Sequence, residues 1–176
     1  MSAVLGGDRE VVLDAIRKAG LVAANDNGGG QIVAAGDLQA LSGLAPDGAR
    51  VRPLAVAGAF HTSYMQPAVE PMRALAESIE VNDAAVGVLS NKDGAVLTDG
   101  REILNRIVDQ IANPVRWDLC MHTLLESGVT AAIEVAPAGT LVGLIKRAVP
   151  TIAQCALKSP AELEAAQSFI VNHGGM

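Results

Sequence analysis

The order of apolar segments predicts a layered α/β protein that begins with a small α+β subdomain. Short apolar strands alternate with amphipathic helical segments along the chain, which is typical of layered α/β folds. Half of the 176 residues are hydrophobic and only 18% are charged, so a sizeable core is expected. The first segments follow the order β-α-β-β-α-β of a ferredoxin-like split motif. We therefore predict a ferredoxin-like subdomain over residues 1–56 and a layered α/β domain over 57–176.

Cap residues and turn residues mark the elements of the first subdomain. Asp8 and Asp37 each precede a segment of helical periodicity and suit helix N-caps, and Gly20 suits the end of the first helix. The segment 25–30 reads Asn-Asp-Asn-Gly-Gly-Gly, a dense turn signal because Asn and Gly tolerate positive φ. The predicted strands of this subdomain are 2–5, 21–24, 31–35 and 50–56.

Helical periodicity dominates the second part of the chain. Pro67 and Pro71 restrict the first of these helices to residues after about Ala68, and Asn113 with Pro114 ends the second. The predicted helical segments are 68–79, 103–111, 117–125, 140–147 and 160–171. The predicted strands are 86–89, a buried-type strand at 131–135, and 152–157, and the tail 172–176 is expected to fray.

Composition argues against several classes of function. The net charge is −6 without a basic block, so nucleic-acid binding is not expected, and 2% aromatic residues offer no stacking platform. Apolar stretches are interrupted before they could span a membrane, and the first residues lack the features of a signal peptide. Cys120 and Cys155 are expected to be reduced core thiols, which fits a cytoplasmic protein. His122 has no metal-ligand spacing, and we expect no metal site.

A histidine follows the apolar run 54–57, which we interpret as the end of a strand. Residues 58–61 read Gly-Ala-Phe-His, and a histidine in a loop after a strand is well placed for proton transfer. The alternative is a hydrogen-bonded structural histidine. No Gly-x-Ser-x-Gly nucleophile elbow occurs in the chain. If His61 is a catalytic base, its nucleophile must therefore lie outside this chain.

Four segments, in this order, resemble motifs of the malonyl-CoA:acyl-carrier-protein transacylases. They are 25–36 (NDNGGGQIVAAG), 58–61 (GAFH), 110–117 (QIANPVRW) and 134–141 (EVAPAGTL). In that family a Gly-His-Ser-x-Gly elbow and an arginine that holds the substrate carboxylate lie upstream of the ferredoxin-like subdomain. The resemblance therefore implies that this chain is the C-terminal portion of such an enzyme, ending in part of an α/β-hydrolase-like layered domain.

The resemblance assigns catalytic and specificity roles to three residues. His61 would be the general base, and the backbone carbonyl of Gln110 would orient its ring in place of an acidic triad member. Phe60 would favour malonyl over methylmalonyl groups, because a ring beside the acyl site leaves little room for an α-methyl group. The alternative for Phe60 is a residue of the hydrophobic core.

The resemblance also implies binding roles for four polar residues. Gln31 and Arg50 would lie near the pantetheine and phosphate path of coenzyme A, since the guanidinium fork suits phosphate. Arg50 could equally be a solvated strand residue. Asn25 and Asn27 would line the substrate site, and turn chemistry alone is an equal alternative for both.

The implied activity is malonyl transfer from coenzyme A to the phosphopantetheine thiol of acyl carrier protein in fatty acid biosynthesis, by a Ser-His ping-pong mechanism. The expected partners are malonyl-CoA, acyl carrier protein and the missing N-terminal region as a separate chain, with no cofactor beyond the thioester substrate. Two alternatives remain open: a polyketide-synthase acyltransferase fragment, and a non-catalytic folded remnant that serves only as a binding or structural module.

Overall fold

The computed structural model describes residues 1–174. The chain divides into two compact units, Met1–Cys120 and a second that begins at Met121. The strands are β1 (Ser2–Gly6), β2 (Val22–Asp26), β3 (Gln31–Ala35), β4 (Ala49–Pro53), β5 (Val88–Leu89), β6 (Val96–Leu97), β7 (Val115–Arg116), β8 (Ala131–Val135) and β9 (Ala153–Leu157). The α-helices are α1 (Arg9–Lys18), α2 (Leu38–Gly43), α3 (Gln66–Glu77), α4 (Gly100–Asp109), α5 (Trp117–Glu126), α6 (Leu141–Ala148) and α7 (Leu163–His173). Single 3₁₀ turns lie at Ser63–Met65, Gln110–Ala112 and Pro160–Glu162.

A five-stranded sheet organises the first unit, with the strand order β4-β1-β3-β2-β7. The first four strands pair antiparallel, whereas β7 pairs parallel to β2 through Asn25 opposite Val115 and Asp26 opposite Arg116. Strand β7 was not predicted, because two residues are too few to show a periodic pattern. Strand β2 ends at Asp26 and so includes two residues that were predicted to be turn.

One face of this sheet packs on α1 and α2. Because side chains alternate along a strand, every second residue of β1 and β3 enters this core. The buried cluster consists of Val4, Val12, Ile16, Leu21, Ile32, Ala34, Leu41 and Leu44. Residues at the alternate positions, including Leu5 and Gln31, belong to the opposite face of the sheet.

Both predicted aspartate caps are confirmed. Asp8 Oδ1 accepts hydrogen bonds from the backbone N–H groups of Glu10 and Val11, and Asp37 caps α2 in the same way. Gly20 follows α1 with φ +69°, a conformation that a Cβ would disfavour. The start and end of these helices are therefore specified locally.

The predicted strand 50–56 is wrong at its end. Strand β4 stops at Pro53, which lies opposite Ser2, and the amide of Leu54 makes a last hydrogen bond to the carbonyl of Met1. Since β4 is an edge strand whose only partner within residues 1–174 is β1, no further residue of β1 remains to extend the ladder. Leu54 and Val56 are exposed loop residues. His61 therefore lies in a loop several residues beyond the sheet, and not directly at a strand end.

Helices α3 and α4 form a second buried cluster in the first unit. Val69, Ala76 and Val108 are its fully buried members. Helix α3 begins at Gln66, so the predicted restriction to residues after about Ala68 is wrong, and Pro71 lies inside the helix. A proline inside a helix removes one backbone hydrogen bond, and the surrounding packing tolerates that loss. The predicted strand 86–89 is shortened to β5, which forms a two-residue hairpin with β6.

The second unit contains a parallel pair of strands, β8 and β9, with helices α6 and α7. Both strands were predicted, but the prediction that β8 is buried is wrong. Ile133 is 37% exposed and Val135 67%, because β8 pairs only with β9 within residues 1–174. Helix α7 continues to His173, so the prediction of a frayed tail is wrong for Asn172 and His173, and Gly175 and Met176 lie outside the described residues. No helix within residues 1–174 is long and apolar enough to cross a bilayer.

Candidate active site

His61 is held against the 3₁₀ turn Gln110–Ala112, which follows α4. Its Nδ1 atom lies 2.9 Å from the carbonyl oxygen of Gln110, and its backbone N–H donates to the carbonyl of Ile111 at 3.3 Å. A carbonyl oxygen can only accept a hydrogen bond, so in the neutral ring Nδ1 carries the proton. Nε2 then keeps its lone pair and can act as a base.

The backbone of His61 adopts a left-handed conformation, with φ +60°. Among the described non-glycine residues, only His61 has positive φ. Such a conformation costs of order 1 kcal/mol and persists where surrounding contacts impose it. The two hydrogen bonds to the Gln110–Ala112 turn are such contacts, and they fix the position of the ring.

The turn that receives His61 is built by local sequence signals. Asn113 precedes Pro114, which disfavours helical continuation, and the chain leaves α4 through one 3₁₀ turn. The carbonyl of Gln110 also accepts the backbone N–H of Asn113 at 3.3 Å. One carbonyl oxygen can accept two hydrogen bonds, so the turn and the imidazole share it.

Thr62 stabilises the loop around His61 and was not identified from the sequence. Its side chain is buried, and its hydroxyl donates to the carbonyl of Ala59 at 2.6 Å. The same oxygen accepts the backbone N–H of Tyr64 at 3.3 Å, as an N-cap does. A threonine immediately before a short helix is the sequence signal that could have indicated this role.

Phe60 is not a core residue. It is 40% exposed, and its ring folds back over Gly58, within 4.0 Å of the place a Cβ would occupy there. This exposure rules out the core alternative for Phe60. It leaves the ring beside the His61 loop and accessible to a small molecule.

The structure places Asn25, Gln31 and Arg50 on one face of the five-stranded sheet. Leu5 of β1 lies opposite both Gln31 and Arg50, and Val33 lies opposite Asn25. Directly opposed residues share a face, and this face is opposite to the one that packs on α1 and α2. No hydrogen bond within residues 1–174 links these three side chains to the His61–Gln110 pair.

The Gln31 side chain has an unusual feature. Its Oε1 atom is buried and has no hydrogen-bond partner among the described residues. A buried carbonyl without a partner costs about 1–3 kcal/mol, so such groups call for an explanation. Arg50, by contrast, is exposed, as the alternative of a solvated strand residue expected.

Asn27 begins the glycine-rich turn between β2 and β3. Its backbone N–H donates to the carbonyl of Gln31 at 2.9 Å, which closes the turn. Gly28, Gly29 and Gly30 all have positive φ, as the turn prediction expected. The backbone geometry therefore accounts for the turn, and Asn27 itself is half-buried.

A charged cluster beside this turn was also missed from the sequence. Asp26 is only 5% exposed, and it accepts hydrogen bonds from Arg9 Nε at 2.9 Å and from the N–H of Gly28 at 3.2 Å. The bidentate hydrogen bonds from Arg116 to Asp118, together with the nearby charge of Asp26, raise the pKa of Arg116. Asp26 belongs to the segment 25–30 that was predicted to be a turn, so its role as a buried ion-pair partner was not predicted.

No protein-family model matches the chain. It is 50% identical over 167 residues to the malonyl CoA-acyl carrier protein transacylase of Mycobacterium tuberculosis, covering 93% of this chain and 55% of that relative. The corresponding protein of Bacillus subtilis is 34% identical over 94% of this chain and 56% of its own length. The chain thus spans about half the length of the curated relatives it matches.

Solved structures agree with these relatives. The crystal structure of MCAT from Mycobacterium tuberculosis matches with a TM-score of 0.88 at 49% identity, over 93% of this chain and 55% of that one. A malonyl-transacylase in complex with a type II PKS acyl-carrier protein matches with a TM-score of 0.84 at 29% identity, over 96% of this chain and 58% of that one. The chain therefore belongs to the malonyl-CoA:acyl-carrier-protein transacylase family and corresponds to part of such a protein.

Proposed function

We propose that this chain supplies the histidine side of a Ser-His acyl transfer, in which malonyl moves from coenzyme A to the phosphopantetheine thiol of acyl carrier protein. The observation that carries the proposal is the 2.9 Å contact between His61 Nδ1 and the Gln110 carbonyl. That contact orients a neutral imidazole with Nε2 available as a base. The pathway is fatty acid biosynthesis, in the cytoplasm.

The chemistry requires a nucleophilic serine. This chain contains no Gly-x-Ser-x-Gly nucleophile elbow. Nε2 of His61 would remove the proton of that serine hydroxyl as its oxygen attacks the malonyl thioester. The coenzyme A thiolate leaves and takes the proton from the imidazolium. In the second half-reaction His61 deprotonates the phosphopantetheine thiol, whose sulfur attacks the malonyl ester, and then returns the proton to the serine oxygen.

The fold supports a finer domain assignment. We infer that residues 1–56 form a ferredoxin-like small subdomain, since the order β4-β1-β3-β2 with two helices on one face is that of the split motif. Residues 57–176 would then be the C-terminal part of an α/β-hydrolase-like large domain. The parallel pairing of β8 with β9 is consistent with that assignment.

Substrate contacts follow from the same placement. Phe60 would line the malonyl site beside His61 and exclude an α-methyl group by its volume. Gln31, Arg50 and Asn25 would follow the coenzyme A path along their common sheet face, with Asn27 at its end. The buried, unpartnered Oε1 of Gln31 supports this role, because the amide N–H groups of pantetheine could donate to it.

No cofactor enters this mechanism beyond the thioester substrate, and no cluster of three metal-ligating side chains occurs within residues 1–174. The proposed partners are malonyl-CoA, acyl carrier protein and the serine-bearing region of the family fold, which lies outside this sequence. A polyketide role is the second candidate, because one structural neighbour is a malonyl-transacylase bound to a type II PKS acyl-carrier protein. Comparing transfer rates to fatty-acid and polyketide carrier proteins distinguishes the two.

The decisive experiment is reconstitution. The chain is co-expressed with the part of the Mycobacterium tuberculosis relative that lies outside the matched region, and malonyl transfer to acyl carrier protein is measured. We expect transfer from the pair and none from the chain alone. His61→Ala should lower the rate by at least about 100-fold, whereas the exposed His122 serves as the control in His122→Ala. A pair that assembles but transfers nothing would favour a non-catalytic remnant.

A further inference from the structure

Asp109 immediately precedes Gln110, the residue whose carbonyl orients His61, and its carboxylate is paired with Arg73. We propose that the Arg73–Asp109 ion pair is a positioning element of the candidate site, which holds the Gln110 carbonyl at the His61 ring. The inference rests on the proposed function for the part that His61 plays in catalysis. The geometry that it concerns can be measured at the His61 ring without any turnover.

Asp109 is the last residue of α4 and is held through both its side chain and its main chain. Its Oδ1 atom accepts a hydrogen bond from Nη2 of Arg73 at 2.8 Å. Its carbonyl oxygen accepts one from the side-chain amide of Asn113 at 2.6 Å. Asp109 and Asn113 lie on either side of the 3₁₀ turn that contains Gln110, so these contacts restrain the backbone on both sides of the orienting carbonyl.

Arg73 belongs to α3, the helix that follows the His61 loop. Val69 and Ala76 lie one helical turn to either side of Arg73, and both are buried in a cluster with Val108 of α4. Residues three and four apart share one face of a helix, so Arg73 lies on the face of α3 that packs on α4. The ion pair therefore joins the helix that follows the His61 loop to the end of α4.

Apolar packing holds the other side of the turn. Ile111 and Ala112 are partly buried against the cluster formed by α3 and α4, and the carbonyl of Ile111 accepts the backbone N–H of His61 at 3.3 Å. Apolar contacts are not directional, so they do not by themselves set the direction of a carbonyl. If packing alone held the turn, Arg73 and Asp109 would be dispensable, and this is the alternative that the experiment must exclude.

The charged neighbours of this pair are less well placed. Glu70, the other carboxylate near Arg73, lies 3.7 Å away, beyond hydrogen-bond distance. Lys92 and Arg106 line a polar cavity beside Asp109, but within residues 1–174 neither is paired with it. Arg106 is engaged by two other carboxylates. Arg73 and Asp109 are thus each other's hydrogen-bonded partners.

Arg101 provides a matched control at the opposite end of α4. Its guanidinium donates to the carbonyl of Ala76 at 3.0 Å and to the carbonyl of Ile79 at 2.8 Å, so it also links α4 to the α3 segment. Since a helix rises about 1.5 Å per residue, Arg101 lies about 12 Å from Asp109 along the axis. Arg101→Gln should therefore weaken the contact between the helices without reaching the Gln110 turn.

Nitrogen-15 NMR of the His61 ring tests the proposal on this chain, with His61→Ala to identify the ring signals. At about pH 8, above the pKa of an unperturbed imidazole, the shifts of Nδ1 and Nε2 report which nitrogen carries the proton. The parent ring should carry it on Nδ1, which faces the Gln110 carbonyl. Arg73→Gln and Asp109→Asn should each lower the ratio of Nδ1-protonated to Nε2-protonated ring by about two- to fivefold, the range that a partly exposed ion pair can supply.

Further variants separate positioning from a loss of packing. Arg73→Lys keeps the charge, and a contact through one nitrogen does not require the guanidinium fork, so most of the parent ratio should remain. The double variant of Arg73→Gln with Asp109→Asn should be no worse than either single variant, as expected for residues that act as one pair. Arg101→Gln should lower the free energy of unfolding in urea and leave the ratio unchanged. Urea unfolding also confirms that each variant folds.

Activity of the reconstituted pair provides a second measurement. Arg73→Gln should lower kcat by about the same two- to fivefold and leave KM unchanged, because Arg73 is placed to orient the base and not to bind substrate. An unchanged tautomer ratio in Arg73→Gln and Asp109→Asn, or an equal fall in Arg101→Gln, would overturn the positioning role even if the parent pair transfers malonyl. A ratio that falls as expected in a pair that transfers no malonyl would sink only the proposed function.

Discussion

Nδ1 of His61 and the carbonyl oxygen of Gln110 lie 2.9 Å apart across 49 positions of sequence. The oxygen that orients the imidazole belongs to the main chain of a 3₁₀ turn, and the same oxygen closes that turn through the N–H of Asn113. The orienting group is therefore neutral and is held by backbone geometry. This distinguishes the site from a triad with a carboxylate as its third member.

The main-chain origin of this contact predicts a contrast between two alanine variants. His61→Ala removes the proposed base and should lower malonyl transfer by the reconstituted pair at least about 100-fold. Gln110→Ala keeps the carbonyl and should cost far less. The kcat/KM values of both variants check this expectation. Equal losses would show that the Gln110 side chain, and not its backbone carbonyl, orients His61.

Phe60→Ser should change the choice of acyl group. Removing the half-exposed ring beside His61 opens room for an α-methyl group, so the ratio of methylmalonyl to malonyl kcat/KM should rise by about tenfold or more. Tyr64→Ser provides the control, since Tyr64 is an exposed aromatic residue in the following turn. An unchanged ratio in Phe60→Ser would remove Phe60 from the specificity argument.

Glu134 should make the stability of the chain depend on pH in the acid range. Burial raises the pKa of its carboxyl, but hydrogen bonds from the N–H groups of Val142, Leu141 and Gly139 outweigh burial and lower the pKa below 4.5. A carboxyl whose pKa is lowered by folding stabilises the protein at pH values above the pKa of that carboxyl in the unfolded chain. That contribution is lost as pH falls through the folded value.

The variant Glu134→Gln tests this expectation. At pH 7 it should lower the free energy of unfolding by about 1 kcal/mol, as loss of a helix cap does. The difference from the parent chain should shrink as pH falls from 4.5 through the lower pKa of Glu134 in the folded chain, because both side chains are neutral below that pKa. Urea unfolding at both pH values measures it, with Glu126→Gln at an exposed position as control. A pH-independent difference would contradict the assignment.

Cys120 should be chemically inert while the chain is folded. Burial raises the pKa of its thiol to about 11, and its Sγ donates to the carbonyl of Ser90 at 3.4 Å. Since the thiolate is the reactive form, the Cys155→Ser variant should react with a thiol reagent at pH 8 only after unfolding. Rapid labelling of that variant without denaturant would disprove the burial of Cys120.

Local signals predicted most of the elements correctly. Aspartate caps, glycine ends and helical periodicity depend on neighbouring residues, so Asp8, Gly20 and Asn113 could be interpreted without the fold. Strand pairing could not be predicted from such local signals. Strand β7 has two residues and exists only because β2 lies beside it, and β4 ends where its partner strand does.

For the candidate site, too, some features follow from local sequence signals and others only from tertiary contacts. The sequence alone determined that a histidine follows a Gly-Ala-Phe segment, that a turn follows α4, and that the chain lacks a nucleophile elbow. Only the tertiary structure decided that Thr62 stabilises the His61 loop, that Asp26 is a buried ion-pair partner, and that β8 pairs with no strand but β9 within residues 1–174. Residue types and short spacings specify local conformation, whereas burial and pairing depend on segments that are distant in sequence and meet only in the folded chain.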